Sequence, residues 1–203
     1  MRLFTTPGTC SLASHIALSE SGLDFTAEIV NLRDKTLADG SDYRAINPKG
    51  AVPALEISPG EVLTEGVAIM QYVADQAPGA GIAPPAGTLE RARMQEALNY
   101  IAGELHKSGY AIFFRPGLTD ELKQAQMGVI DTKLAWLEAL LSDGRDYLLT
   151  SGYSVADGYL FTISGWSKGF GHDLSKFPKI VALRERVAAR PAVQAAMRAE
   201  GMI

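Results

Sequence analysis

Residues 77–87 read Ala-Pro-Gly-Ala-Gly-Ile-Ala-Pro-Pro-Ala-Gly, a stretch without charge or apolar periodicity, and the chain changes character across it. Proline cannot donate to a helix or a ladder and glycine loses the most entropy when fixed, so such a run joins folded units rather than building one. Before it, apolar residues come in short runs broken by turn residues. After it, they recur at helical spacing. The sequence therefore predicts two domains, 1–77 and 88–203, with a linker at 78–87.

In the first domain, residues 2–5 form a short apolar-leaning run ended by Pro7-Gly8, and Leu12, Ala13, Ile16 and Ala17 then mark a helix over 11–22. Residues 25–32 are rich in β-formers, so strand, helix and strand make a unit with two parallel strands and a right-handed crossover. A short helix is expected near 42–46. Residues 53–57 and 62–63 flank Ser58-Pro59-Gly60-Glu61 and read as a hairpin, and Thr64-Glu65-Gly66 opens a helix to about residue 75 with Val67, Met70, Val73 and Ala74 buried.

In the second domain, Leu98, Ile101 and Leu105 mark one helix, and Val129, Trp136, Leu137, Leu140 and Leu141 a long second one. Val155, Ala156, Tyr159, Leu160 and Ile163 mark a third. Ile180, Leu183 and Val187 mark a fourth, before Pro191 restarts the chain. Ser154-Val155-Ala156-Asp157 fits a capping box, a folding device.

The chain has 203 residues, 47% hydrophobic and 21% charged, ordinary globular usage, and a net charge of -4 with no dense Lys/Arg run. That gives no footprint for nucleic acid or an anionic membrane, and no stretch is apolar enough to span a bilayer. The one cysteine, Cys10, excludes an internal disulfide and fits a reducing compartment, so the cytoplasm is expected. His15, His106 and His172 show no metal-ligand spacing, so no metal is expected.

Cys10-Ser11 lies where a strand ends and a helix begins. Unpaired backbone N–H groups and the positive helix end favour an anion there, and the same setting makes a cysteine reactive. The alternative is a serine cap beside a small buried cysteine. With Leu12-Ala13 following, no second thiol lies three residues on, and a redox cycle would borrow one from a partner. Val52-Pro53 leaves an extended backbone before a strand, suited to an incoming peptide or simply to an edge strand. Thr64-Glu65-Gly66 offers donors for a carboxylate and an anion for an ammonium, or an ordinary acidic helix start. Asn99, Gly103 and His106 recur at helical spacing and are expected on one small polar face. His15 and Asp157 are assigned to structure, and His172 has no evident role.

Three segments, residues 7–13, 47–55 and 64–72, resemble in order and interval the glutathione transferases, and the resemblance covers nearly the whole chain. Cys10 before Ser11, with Glu104-Leu105-His106-Lys107 downstream, points to the bacterial beta class. The resemblance implies an α/β thioredoxin-like N-terminal domain, an all-α helical C-terminal domain and a homodimer. Glutathione is the implied co-substrate and a small apolar electrophile its partner. Cys10, Ser11 and His106 are the implied catalytic residues, with the His106 imidazole tuning the thiol. Val52, with Pro53 cis, would hold the cysteinyl part, Glu65 and Gly66 the γ-glutamyl end, and Lys35 the glycine carboxylate. Asn99, Gly103 and Glu104 complete the binding set, with Asn99 and Glu104 acting across a dimer interface. Many relatives carry serine at position 66, so one hydroxyl contact is absent here. The implied reaction is conjugation of glutathione, a detoxifying chemistry. Thiol-disulfide exchange through Cys10, or apolar-ligand binding without turnover, are the alternatives.

Overall fold

The computed structural model describes residues 1–203. It forms two compact units, Met1–Ala83 with Ala189–Ile203, and Pro84–Ala188.

The first unit follows the expected order. β1 (Arg2–Thr5) leads to α1 (Ser11–Ser21), β2 (Thr26–Ile29), a 3-10 turn (Tyr43–Ala45), the hairpin β3 (Ala54–Ser58) and β4 (Glu61–Thr64), and α2 (Gly66–Gln76). The sheet order is β2-β1-β3-β4. β1 runs parallel to β2, with Arg2 opposite Thr26, and antiparallel to β3, with Leu3 opposite Leu55. This is the thioredoxin-like arrangement. β2 is shorter than its β-formers suggest. After the Val30 N–H bonds the Thr5 carbonyl, the Asn31 side chain accepts from the Arg33 and Asp34 N–H groups and turns the chain away. Leu3, Phe4, Ile16, Leu55, Ile69 and Val73 are fully buried, each contributing about 1.5–3 kcal/mol of hydrophobic stabilisation.

The second unit is helical: α3 (Leu89–Tyr100), a π-helical continuation (Ile101–Lys107), α4 (Asp120–Leu140), α5 (Val155–Ser164), the short α6 (Ser167–Phe170) and α7 (Pro178–Ala188). Every residue of α5 is buried, and its start is fixed by the expected capping box. Asp157 accepts from the Ser154 N–H and hydroxyl and from the Leu148 N–H, while burial pushes its carboxyl up to about 6. The buried stripe of α4 is Ile130, Leu134 and Leu137, continued by Leu141. Val129 and Trp136, expected in that stripe, are instead 41% and 42% exposed, because the inward face is turned by one residue from the one they mark. Trp136 lies at the surface against Tyr100, ring centroids 4.3 Å apart.

The expected extent of the helical domain, 88–203, differs from the structure at its far end. α8 (Pro191–Ala199) packs on α1 and belongs to the first unit. Arg190 forms a double hydrogen bond with Glu20 at the end of α1, and Val193 and Ala196 are buried. Periodicity revealed a helix there but could not say which core it covers. No helix is long and apolar enough to cross a membrane.

Candidate functional site

The turn between β1 and α1 carries Cys10 and leads into Ser11. Gly8 takes φ 73°, a left-handed conformation open to glycine, and Cys10 stands at the N-cap of α1. Its half-buried thiol donates to the Val52 carbonyl at 3.5 Å. A helix N-terminus favours the thiolate at this position.

Ser11, expected beside Cys10 as a second catalytic group, is fully buried. Its Oγ lies 2.7 Å from both Thr5 Oγ1 and Thr9 Oγ1 and accepts from the Thr6 N–H at 3.1 Å. Thr5 spends its proton on the Glu200 carboxylate at 2.9 Å, and a carboxylate can only accept. The hydroxyl proton of Ser11 is therefore taken up within the turn, by Thr5, by Thr9 or by the Thr6 carbonyl. Ser11, expected as a catalytic residue beside Cys10, is thus buried and hydrogen-bonded within the turn, while the Cys10 thiol is half-buried. Glu200 also accepts from His15 Nδ1 at 2.9 Å and from the Gly8 N–H at 3.3 Å. No local pattern marked Glu200, since its partners lie near the start of the chain.

The Val52-Pro53 peptide is cis. The segment before it is pinned by the Tyr43 hydroxyl and the Asn47 amide, which both donate to the Ala51 carbonyl. Lys35 donates to the Gly50 carbonyl at 2.8 Å. Lys35 and Glu65 are the two non-glycine residues with positive φ, 60° and 70°. Such conformations cost of order 1–3 kcal/mol and gather at functional sites. Glu65 precedes α2, is exposed, and accepts from Lys49 Nζ at 2.7 Å, which also donates to Thr64 Oγ1 at 2.9 Å. At Gly66 an added Cβ would stand 3.5 Å from Pro53 and 3.8 Å from the Ser14 hydroxyl. A serine side chain would therefore fit, and the glycine is not a steric necessity.

In the helical unit the expected common face of Asn99, Gly103 and His106 does not form. From Ile101 the chain is wound as a π-helix, its N–H groups reaching five residues back, as Ser108 does to Gly103 at 3.0 Å. Asn99, still on α3, and Gly103 are exposed, while the wider turn after them leaves His106 buried. Gly109 ends the turn so tightly that a Cβ would sit 2.2 Å from the Leu105 carbonyl oxygen. Asn99 donates to the Gln95 carbonyl, and Glu104 pairs with Lys133, whose hydrogen bond and charge hold its carboxyl below the usual range. His106 Nδ1 lies 2.9 Å from the Tyr159 hydroxyl and the ring meets Trp166 edge-on at 5.1 Å. Burial, helped by the charge of Lys107, pushes the imidazole down to about 4. His106 is therefore neutral at pH 7.

His172, given no role from sequence, anchors a second polar chain. Its Nδ1 lies 3.3 Å from the Tyr110 hydroxyl and 3.2 Å from Ser167 Oγ, and its Nε2 lies 2.8 Å from Asp131. Tyr110 and Ser167 share a very short hydrogen bond, and burial pushes the phenol up to about 12. No spacing in the sequence joins these four positions.

Residues 8–76 match the glutathione S-transferase N-terminal domain and residues 105–191 the glutathione S-transferase C-terminal domain. The chain is 45% identical over 202 residues to glutathione S-transferase GstA of Escherichia coli O157:H7, covering all of both chains. Among solved structures it is similar to a ternary complex of BphK, a bacterial GST, at TM-score 0.94 and 47% identity, covering 99% of this chain and 100% of that one. It is equally similar in fold to a sphingomonad glutathione S-transferase complexed with glutathione, at TM-score 0.94 and 43% identity over the whole of both chains. On the matched domains, the shared fold and these identities, the chain belongs to the glutathione S-transferase family.

Proposed function

We propose that the α/β unit binds glutathione in extended form from Lys35 through Val52 and Pro53 to Glu65 and Gly66, with Cys10 at its sulfur. The protein is a glutathione transferase that uses glutathione as co-substrate. One observation carries the placement of the sulfur: the Cys10 thiol, on the N-cap of α1, lies against the Val52 main chain. A ligand paired with Val52 as an added strand brings its own cysteinyl residue to the same helix end. There the positive end of α1 favours a bound thiolate, which attacks the electrophile and displaces its leaving group. Cys10 supports a second reaction, since a cysteine thiolate attacking oxidised glutathione forms a mixed disulfide and releases one glutathione thiolate.

In this reading Ser11 acts by holding the turn. Asn99, Gly103, Glu104 and His106 contribute from the helical unit, Asn99 and Glu104 across a homodimer. His106 acts as a neutral imidazole. A small apolar electrophile, a detoxifying role and a cytoplasmic location complete the reading.

Incubation with oxidised glutathione is expected to add one glutathionyl group, which reduction removes. Cys10→Ala is expected to lose exchange while keeping part of the conjugation of an aryl halide. A wild-type protein that takes no adduct, with full exchange activity in Cys10→Ala, would leave Cys10 a packing residue.

A further inference from the structure

The Lys49–Glu65 pair has the charge pattern of an amino-acid zwitterion turned inside out: an ammonium and a carboxylate side by side, on the surface, at the start of α2. Lys49 Nζ uses two of its three N–H donors, on Glu65 Oε1 at 2.7 Å and Thr64 Oγ1 at 2.9 Å. Both side chains are more than half exposed, 56% and 70%. An exposed pair of this kind contributes little to stability, so a ligand can share it without unfolding anything.

We propose that Lys49 is a specificity-determining residue that reads the α-carboxylate of the ligand's γ-glutamyl end while Glu65 reads the α-ammonium. The inference rests on the proposed placement of that end at Glu65 and Gly66. The chemistry follows from the ligand, which carries both charges on one carbon. A carboxylate at Glu65 selects the ammonium but repels the neighbouring α-carboxylate, and Lys49 offsets that repulsion from the adjoining position. The backbone donors at the start of α2 add to the same effect. Lys49 is placed for this by its own loop: its N–H donates to Asn47 Oδ1 at 3.2 Å and the Gly50 N–H donates to the Asn47 carbonyl at 2.8 Å. One Asn47 amide thus sets the Lys49 backbone and, through Ala51, the segment entering Pro53.

The test compares three thiols: glutathione, γ-aminobutyryl-cysteinylglycine, which lacks the α-carboxylate, and glutaryl-cysteinylglycine, which lacks the α-amine. In Lys49→Met the KM for glutathione should rise about tenfold, the loss of one charge-assisted contact, and Lys49→Arg should restore most of it. The KM for the decarboxylated thiol should stay within about twofold of wild type, because the contact removed is one that this thiol never makes. A Lys49→Met variant that loses equally on all three thiols, or on none, overturns the assignment, as does one that loses on the decarboxylated thiol alone. If the wild-type protein itself fails to distinguish glutathione from the deaminated thiol and Glu65→Gln is silent, the underlying placement of the γ-glutamyl end is wrong.

Discussion

Two histidines, each buried in one unit, show how differently the same side chain is used. His15, 3% exposed on α1, sets its Nδ1 against the Glu200 carboxylate, and the edge of Phe25 meets its ring at 5.5 Å. His106, 6% exposed in the π-helical turn, meets a phenol and an indole, and burial pushes it down to about 4. The first faces a carboxyl group that also binds Thr5 and Gly8, so it braces a turn. The second has neutral partners in a dry setting, so it stays uncharged through the neutral range. A buried imidazole is defined by what faces its nitrogens, not by its burial.

The largest expected effect breaks the first member of that pair. Glu200→Ala removes the acceptor of Thr5, Gly8 and His15 together and should cost about 3–5 kcal/mol, the usual price of stripping one partner from a buried network. Urea denaturation of the variant measures it, with Glu200→Gln expected to lose less. A loss under about 1 kcal/mol in Glu200→Ala would mean that the turn is held by packing alone.

The second prediction concerns pH. The folded His106 titrates at about 4 and the unfolded one at 6.5, so between these values the unfolded chain binds more protons. Its contribution is therefore complete above pH 6.5 and is lost as the pH falls toward 4. The full loss is roughly 3 kcal/mol, about 2.5 pKa units at about 1.4 kcal/mol each. Unfolding free energies at pH 7 and 4.5 should show this slope, and His106→Phe should flatten it. An unchanged slope in that variant would assign the acid sensitivity elsewhere.

The smallest effect sharpens the comparison. Tyr159→Phe takes away the hydrogen-bond partner of His106 Nδ1 and should cost about 1 kcal/mol. It should leave the first unit untouched, which amide exchange on α1 would report.

What the sequence revealed of these two regions follows from how far the signals reach. The α/β unit is punctuated by Pro7-Gly8, Pro53 and Pro59-Gly60, and each proline or glycine fixes a turn within a few residues of itself. Cys10, Val52, Pro53, Glu65 and Gly66 were therefore legible as candidates from local geometry plus resemblance. The burial of Ser11 is not legible locally, because its partner Thr5 is tied to Glu200, almost a chain length away. In the helical unit, helices were legible but their faces were not. The spacing of Asn99, Gly103 and His106 implies one face only if every turn is an α-turn, and the π-helical segment starting at Ile101 violates that assumption. Val129 and Trp136 failed for a related reason, since large apolar residues beside a stripe look like members of it. Lys49 carries no signal of its own in the sequence, because its partner Glu65 is brought beside it by the hairpin.

The return of α8 to the first unit has a consequence in the order of synthesis. A ribosome makes all of the helical unit, Pro84–Ala188, before Glu200, and Glu200 follows His15 by 185 residues, an interval on the order of ten seconds at the usual 5–20 residues per second. Before Glu200 is added the helical unit has its whole sequence. The α/β unit does not: Thr5, Gly8 and His15 have no carboxylate, and α1 has water where α8 will lie. The part of the chain translated first is thus the last to be finished, and the turn that carries Cys10 takes its braced form only when the final helix docks.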